Sequence, residues 1–138
     1  MKVRPLRVLL VYDQPLSLTP MKDALTERGH HVITSLDSRT ALHAIEHHGP
    51  FDVLIVDLWS PGLAGAALIR RARGMEANLP IIVIAGSMLP RAAEALNTVG
   101  GRLLVLMKPV SVFGVAGEAE RLVGPRRRVQ RWDADLGS

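Results

Sequence analysis

Val53-Leu54-Ile55-Val56-Asp57 is a run of four aliphatic residues that stops at a carboxylate. Three other runs share its character: Val8-Leu9-Leu10-Val11 leads to Tyr12 and Asp13, Leu103-Leu104-Val105-Leu106 leads through Met107 to Lys108, and Ile81-Ile82-Val83-Ile84 leads to Ala85. Each is far shorter than the ~18 apolar residues of a membrane span and reads as a strand buried on both faces. Segments of helical pattern separate them. The βαβαβ order predicts an α/β fold with a parallel sheet and helices on both faces. In an open parallel sheet the ligand site lies at the carboxyl ends of the strands. Asp13, Asp57 and Lys108, each at the end of a different strand, would meet there as a small charged pocket.

The remaining elements follow from local signals. The first strand covers Arg7 to Tyr12, and a helix follows up to Arg28, stopped by Gly29. Thr19-Pro20, a good cap before a good first-turn residue, offers a later start at Pro20 after a looser turn from Gln14. The second strand, His31 to Ser35, is polar enough for a sheet edge. The second helix runs from Ser38 to His48, with Ala41, Leu42 and Ile45 on one face, and Gly49-Pro50 ends it. Strand three is Phe51 to Asp57. Helix three is Leu63 to Arg73, apolar through Ala67 and Leu68 and basic through Arg70, Arg71 and Arg73. Then come strand four (Pro80 to Ala85), a short helix (Pro90 to Thr98), strand five (Arg102 to Met107) and a last helix (Ser111 to Val123) weakened by Gly114 and Gly117.

The totals allow one domain. The chain has 138 residues, 48% hydrophobic and 22% charged, with 4% aromatic, so the core is built from Leu, Val, Ile and Ala. No cysteine is present, which excludes disulfides, thiolate metal sites and cysteine nucleophiles and fits a cytoplasmic setting. No apolar signal segment follows Met1. The net charge is +4, and residues 124–138, with Arg126, Arg127, Arg128 and Arg131 against Asp133 and Asp135, supply +2 of it. That segment reads as a basic tail or linker stub after a domain of residues 1–123. Nucleic-acid binding is a minor reading, since Trp132 alone offers a stacking surface there.

Two carboxylates side by side repel unless a cation lies between them or one keeps its proton. Mg²⁺ suits such a place, taking a few carboxylate oxygens with water and phosphate. A carboxylate, Mg²⁺ and a lysine suffice to accept a phosphoryl group, because that reaction needs positioning and charge neutralisation above all. Taken singly, Asp after a strand is most often a helix cap and Lys-Pro a loop entry. The joint pattern discriminates: Asp13 after strand one, Asp57 after strand three with Pro61-Gly62 following, and Lys108-Pro109 after strand five.

On those residues, with Gly29-His30-His31-Val32, Gly65 and Leu79-Pro80, the stretch from Arg7 to Val123 resembles the receiver domain of two-component response regulators. The resemblance implies a flavodoxin-like, doubly wound (βα)5 fold with strand order 2-1-3-4-5. It implies phosphorylation of Asp57 by a histidine kinase or phosphotransfer protein, Mg²⁺ held by Asp13, Asp57 and the backbone carbonyl of Trp59, a phosphoryl contact from Lys108, and a cis Lys108-Pro109 bond. It describes a phosphorelay module of the cytoplasm, not an enzyme in the turnover sense and not a membrane protein. A homodimer through the face of helix four, strand five and helix five is a further option, with Gly114 and Gly117 allowing close approach.

Three positions depart from the family pattern. The first of the usual acidic pair is Tyr12, so Mg²⁺ should bind less tightly. The Thr or Ser that usually ends strand four is Ala85; Ser87 would serve only if the strand shifted by two residues. The aromatic residue three before the lysine is Val105. Without hydroxyl or aromatic rotor, the usual switch has no moving parts. Tyr12 either covers the pocket mouth as a solvated aromatic, hydrogen-bonds Asp57 or blocks Mg²⁺. The alternative function is a pseudo-receiver, a protein-interaction module independent of phosphorylation. A nucleotide module is disfavoured, since Asp13-Gln14-Pro15 stands where a Gly-rich phosphate loop would follow strand one. His43 and His47, four apart with His48 adjacent, have a spacing that can bind zinc; with no third ligand evident, a polar helix face is the plainer reading.

Overall fold

The computed structural model describes residues 4–12, 15–58, 63–88 and 90–124. Ten elements alternate: β1 (Arg7–Tyr12), α1 (Pro15–Glu27), β2 (His31–Ser35), α2 (Ser38–His48), β3 (Val53–Leu58), α3 (Leu63–Met75), β4 (Ile81–Ala85), α4 (Pro90–Asn97), β5 (Leu103–Met107) and α5 (Val112–Val123). All strand pairs are parallel, in the order β2-β1-β3-β4-β5. The polar β2 lies at an edge, as its composition predicts.

Strand alternation sorts the core into two layers. Leu9, Val11, Leu54, Val56, Ile81 and Val83 face α2, α3 and α4, meeting Ala44, Ile45, Ile69, Ala72 and Leu96. Val8, Leu10, Tyr12, Val53, Ile55, Ile82 and Ile84 face α1 and α5, meeting Met21, Leu25, Val115, Ala116 and Ala119. Fully burying a Leu, Ile or Val contributes about 1.5–3 kcal/mol, so the three central strands carry most of the driving force.

Four local expectations change. First, α1 begins at Pro15 and runs through Pro20. Pro15 suits a first helical position, whereas Pro20, the sixth residue, lies inside the helix and forfeits a backbone hydrogen bond there. Second, β5 is not buried on both faces. It is the second edge strand, and Val105 and Met107 are 38% and 49% exposed. The short α4 covers Leu103 but leaves these two uncovered. Third, the buried stripe of α3 is Ala66, Ile69 and Ala72, with Leu68 beside it, while Ala67 is exposed. Fourth, Arg73 is not part of a solvated basic face. It is buried, and its guanidinium donates to the carbonyls of Gly100, Ala77, Arg102 and Leu79.

That guanidinium also explains a glycine. Gly101 has φ +71, and a Cβ there would lie 2.7 Å from Arg73 Cζ. Asp37 caps α2 by accepting from Thr40 N at 2.8 Å, and Ser111 caps α5 by accepting from Gly114 N.

Candidate functional site

Asp57 is the penultimate residue of β3 and shares the α1/α5 side of the sheet with Val53 and Ile55. The register sets Tyr12, Asp57, Ile84 and Leu106 side by side across four strands. A carboxylate is thus inserted into an otherwise apolar row, 5% exposed. Burying a charge so is costly unless it is paired.

Its partner comes from beyond β5. Lys108 Nζ lies 2.9 Å from Asp57 Oδ1. Lys108 is positioned by its backbone N–H, which donates to the Ala85 carbonyl at 2.7 Å, extending the β4–β5 ladder past the strand end. The Lys108–Pro109 bond is cis, as is Gly49–Pro50. Oδ1 is buried and, among the described residues, accepts no aligned hydrogen bond; the Lys108 ammonium meets it at ion-pair distance. An anionic oxygen so placed retains lone pairs for an electrophile or a cation.

A cavity of about 500 Å³ opens on this carboxylate, lined by Pro20, Met21, Asp57, Gly86, Lys108 and Val110 among others. Asp57 and Lys108 are its polar floor; α1 and the β5–α5 connection supply apolar walls. Sequence patterns mark the floor but not the walls, because nothing local in Pro20-Met21 reveals that α1 leans over the end of β3.

The structure brings Asp57 and Lys108 together. Asp13 and Trp59, the other residues assigned to Mg²⁺, lie outside the described residues, as do Pro61 and Gly62. Tyr12 does not cover the mouth as a solvated aromatic. It is 3% exposed and packs in the α1/α5 layer with Leu10 and Ile84. Its parity with Val8 and Leu10 turns the ring toward the helices. Among the described residues no hydrogen bond links it to Asp57. Ala85 is fully buried and ends β4, paired with Leu58 and Met107, so the strand has not slipped to bring Ser87 into its place; Ser87 is exposed in the loop beyond. Val105 is exposed on β5 and offers no ring.

The Asp57 site itself is a buried acceptor oxygen with a fixed ammonium beside it. A second polar cluster, at the other end of the sheet, is tied into the scaffold. His30 is buried, and its Nδ1 accepts from Leu6 N at 3.0 Å, so its ring proton sits on Nε2 and is donated to Glu120 at 2.8 Å. Arg28 donates to the same carboxylate. Glu120 is held below the usual carboxylate range chiefly by the Arg28 hydrogen bond, with His30 assisting and burial opposing. Among the described residues no three His, Asp or Glu side chains gather to hold a metal, and no helix is long and apolar enough to cross a membrane.

Comparison with known proteins agrees with this geometry. The family model of the response regulator receiver domain matches residues 8–112. The virulence transcriptional regulatory protein PhoP of Salmonella typhimurium is 39% identical over 79 residues, 57% of this chain and 35% of PhoP. The sensory/regulatory protein RpfC of Xanthomonas campestris is 29% identical over 113 residues, 79% of this chain and 15% of RpfC. The chain therefore spans about a third of the one relative and about a seventh of the other. Among solved structures, a CheY-like receiver domain protein from Methanospirillum hungatei superposes with TM-score 0.77 at 21% identity, covering 87% of this chain and 94% of that one. The receiver domain of sensor histidine kinase PA1611 from Pseudomonas aeruginosa, solved with magnesium in its active site cleft, gives 0.73 at 25% identity, covering 88% and 99%. With its five parallel strands in the order 2-1-3-4-5, this chain belongs to the response regulator receiver domain family and is a flavodoxin-like receiver domain of a two-component system.

Proposed function

We propose that this receiver accepts a phosphoryl group on Asp57 from a histidine kinase or phosphotransfer protein, and that its response to the group is atypical. The observation that carries the first part is the buried Asp57 Oδ1, which among the described residues has the Lys108 ammonium 2.9 Å away and no aligned hydrogen bond. In the transfer, a carboxylate oxygen of Asp57 attacks phosphorus, the phosphorus–nitrogen bond of a phosphohistidine breaks, and the nitrogen keeps the electron pair and takes up a proton. An acyl phosphate results. Lys108 neutralises charge on the phosphoryl oxygens, and the apolar walls of the cavity strengthen that interaction by excluding water.

The acceptor oxygen also suits a hard divalent cation. Asp57, Asp13 and the Trp59 carbonyl would hold Mg²⁺, which supplies charge neutralisation between carboxylate and phosphate when bound. Tyr12, turned into the core, brings no carboxylate to that set, so binding is weak. The domain comprises residues 1–123, with 124–138 as tail, and works in the cytoplasm without turnover chemistry of its own.

The second part rests on Ala85 and Val105. A phosphate alters a distant surface only through an element with two arrangements. Ala85 cannot donate a hydrogen bond, and Val105 is too small to sweep between two positions. The apolar Val105 and Met107 exposed on β5, with Phe113 exposed on α5, support an interaction face at this edge that is present without phosphorylation, and a second copy of the chain is one occupant it fits. A pseudo-receiver that uses this face alone is the rival.

Incubation with phosphoramidate and Mg²⁺, followed by intact mass measurement, separates the two. One phosphoryl mass is expected, absent in Asp57→Ala and slow to appear in Lys108→Ala. An unmodified wild-type chain at long times would support the pseudo-receiver.

A further inference from the structure

We propose that His43 and His47 form an open two-imidazole chelate on α2 that takes a borderline divalent ion, Cu²⁺ or Ni²⁺, in adjacent coordination positions. The two residues stand one helical turn apart on the exposed face of α2. Their ring centroids are 4.3 Å apart and the planes are inclined by 42°.

That separation is more compatible with one coordination geometry than with another. A metal about 2.0–2.1 Å from a ring nitrogen lies about 3.2 Å from the ring centroid. With one nitrogen of each ring turned to a common ion, centroids 4.3 Å apart correspond to a nitrogen–metal–nitrogen angle of about 85°. Adjacent positions of a square-planar or octahedral ion ask for about 90°, whereas the tetrahedral angle of Zn²⁺ would need the centroids about 5.2 Å apart. The pair therefore suits Cu²⁺ or Ni²⁺ better than a closed zinc site.

The surroundings are mixed. Glu46 Oε1 lies 4.0 Å from His47 Nε2 and adds negative charge beside the ligands. Arg39, one turn before His43, opposes a cation. Arg7, at the foot of α2, spends its guanidinium on the carbonyls of His48 and Pro50. His48 has its ring 5.9 Å from that of His43, too far to share the ion at that angle. Water or a donor from another molecule completes the coordination. The site lies toward the end of the sheet opposite Asp57, so its occupancy is independent of phosphoryl transfer.

The test is calorimetric titration of tag-free protein with NiCl₂ and CuCl₂, with electron paramagnetic resonance of the copper form. One ion per chain and nitrogen hyperfine splitting from two imidazoles are expected. His43→Ala and His47→Ala each remove the chelate and weaken binding by about tenfold or more. His48→Ala and His31→Ala leave it unchanged. Acidification releases the ion, since only neutral imidazole binds. Circular dichroism verifies that each variant is folded. Wild-type affinity in both His43→Ala and His47→Ala, an equal loss in His48→Ala, or no saturable binding would overturn the proposal.

Discussion

The two ends of the sheet treat charge in opposite ways. At the amino end, most charged groups are engaged in several hydrogen bonds each, Arg4 Nε being the one buried side-chain atom there without a hydrogen-bond partner among the described residues. Arg73 donates to carbonyls from α3 to β5, and Arg102 donates to the Leu122 and Asn78 carbonyls. Asp52 accepts from Arg7 N at 2.8 Å, and Arg28, His30 and Glu120 join α5 to the entry of β2. At the carboxyl end, the buried Asp57 Oδ1 faces one ammonium and accepts no aligned hydrogen bond from the described residues. The first end is built to hold the loops in place. The second keeps bonding capacity in reserve, which is what an acceptor requires.

The sharpest way to break this contrast is at Arg73. Arg73→Met keeps the aliphatic stem but strands several buried carbonyls, and should cost about 3 kcal/mol. Urea denaturation measures it; a loss below about 1 kcal/mol would mean that water replaces the guanidinium freely. Phosphoryl uptake in the surviving folded protein should be unchanged, since the two ends are separate.

At the other end, Ala85→Thr restores a hydroxyl where β4 stops. One added hydrogen bond to the phosphoryl group of about 1.4 kcal/mol would speed uptake about tenfold. Stopped-flow or timed mass measurements read this rate. An unchanged rate would show that the missing hydroxyl does not limit the reaction. The site is fully buried, so a stability loss of about 1 kcal/mol should accompany the gain.

A smaller effect tests the amino-end cluster by pH. The Glu120 carboxyl is held low in the folded protein, mainly by Arg28. A depressed carboxyl stabilises the fold above the pH where the unfolded chain ionises, and that stabilisation is lost as pH falls through the folded value. Glu120→Gln should therefore be less stable than wild type near pH 7, with the gap closing below about pH 4. Parallel curves at all pH values would contradict the role given to the carboxylate. Least of all, Ser111→Ala removes the α5 cap and should cost about 1 kcal/mol or less in the same assay.

How much of this was legible in the sequence follows the same division. The central strands were legible because three of them are buried on both faces and read as continuous apolar runs. Asp57 and Lys108 were legible because each breaks or follows such a run, and the structure shows the pair meeting. Val105 reads as buried because an edge strand with a short neighbouring helix has the same composition as a central one. Tyr12 was misplaced because a terminal aromatic can turn either way, although its parity with Val8 and Leu10 pointed inward. Arg73 sits four residues after Ile69, on the apolar face, and that spacing was the available signal. His30 offered none: its partners Leu6 and Glu120 lie 24 and 90 residues away in sequence.

The contrast between a reserved oxygen and a missing relay is tested most directly by ¹H–¹⁵N spectra recorded as phosphoramidate and Mg²⁺ are added. The account predicts a new set of resonances for Asp57, Lys108 and their neighbours, with little movement along α4 and at Val105 and Met107 of β5. Absence of change at Asp57, or large shifts spread across α4 and β5, would contradict it.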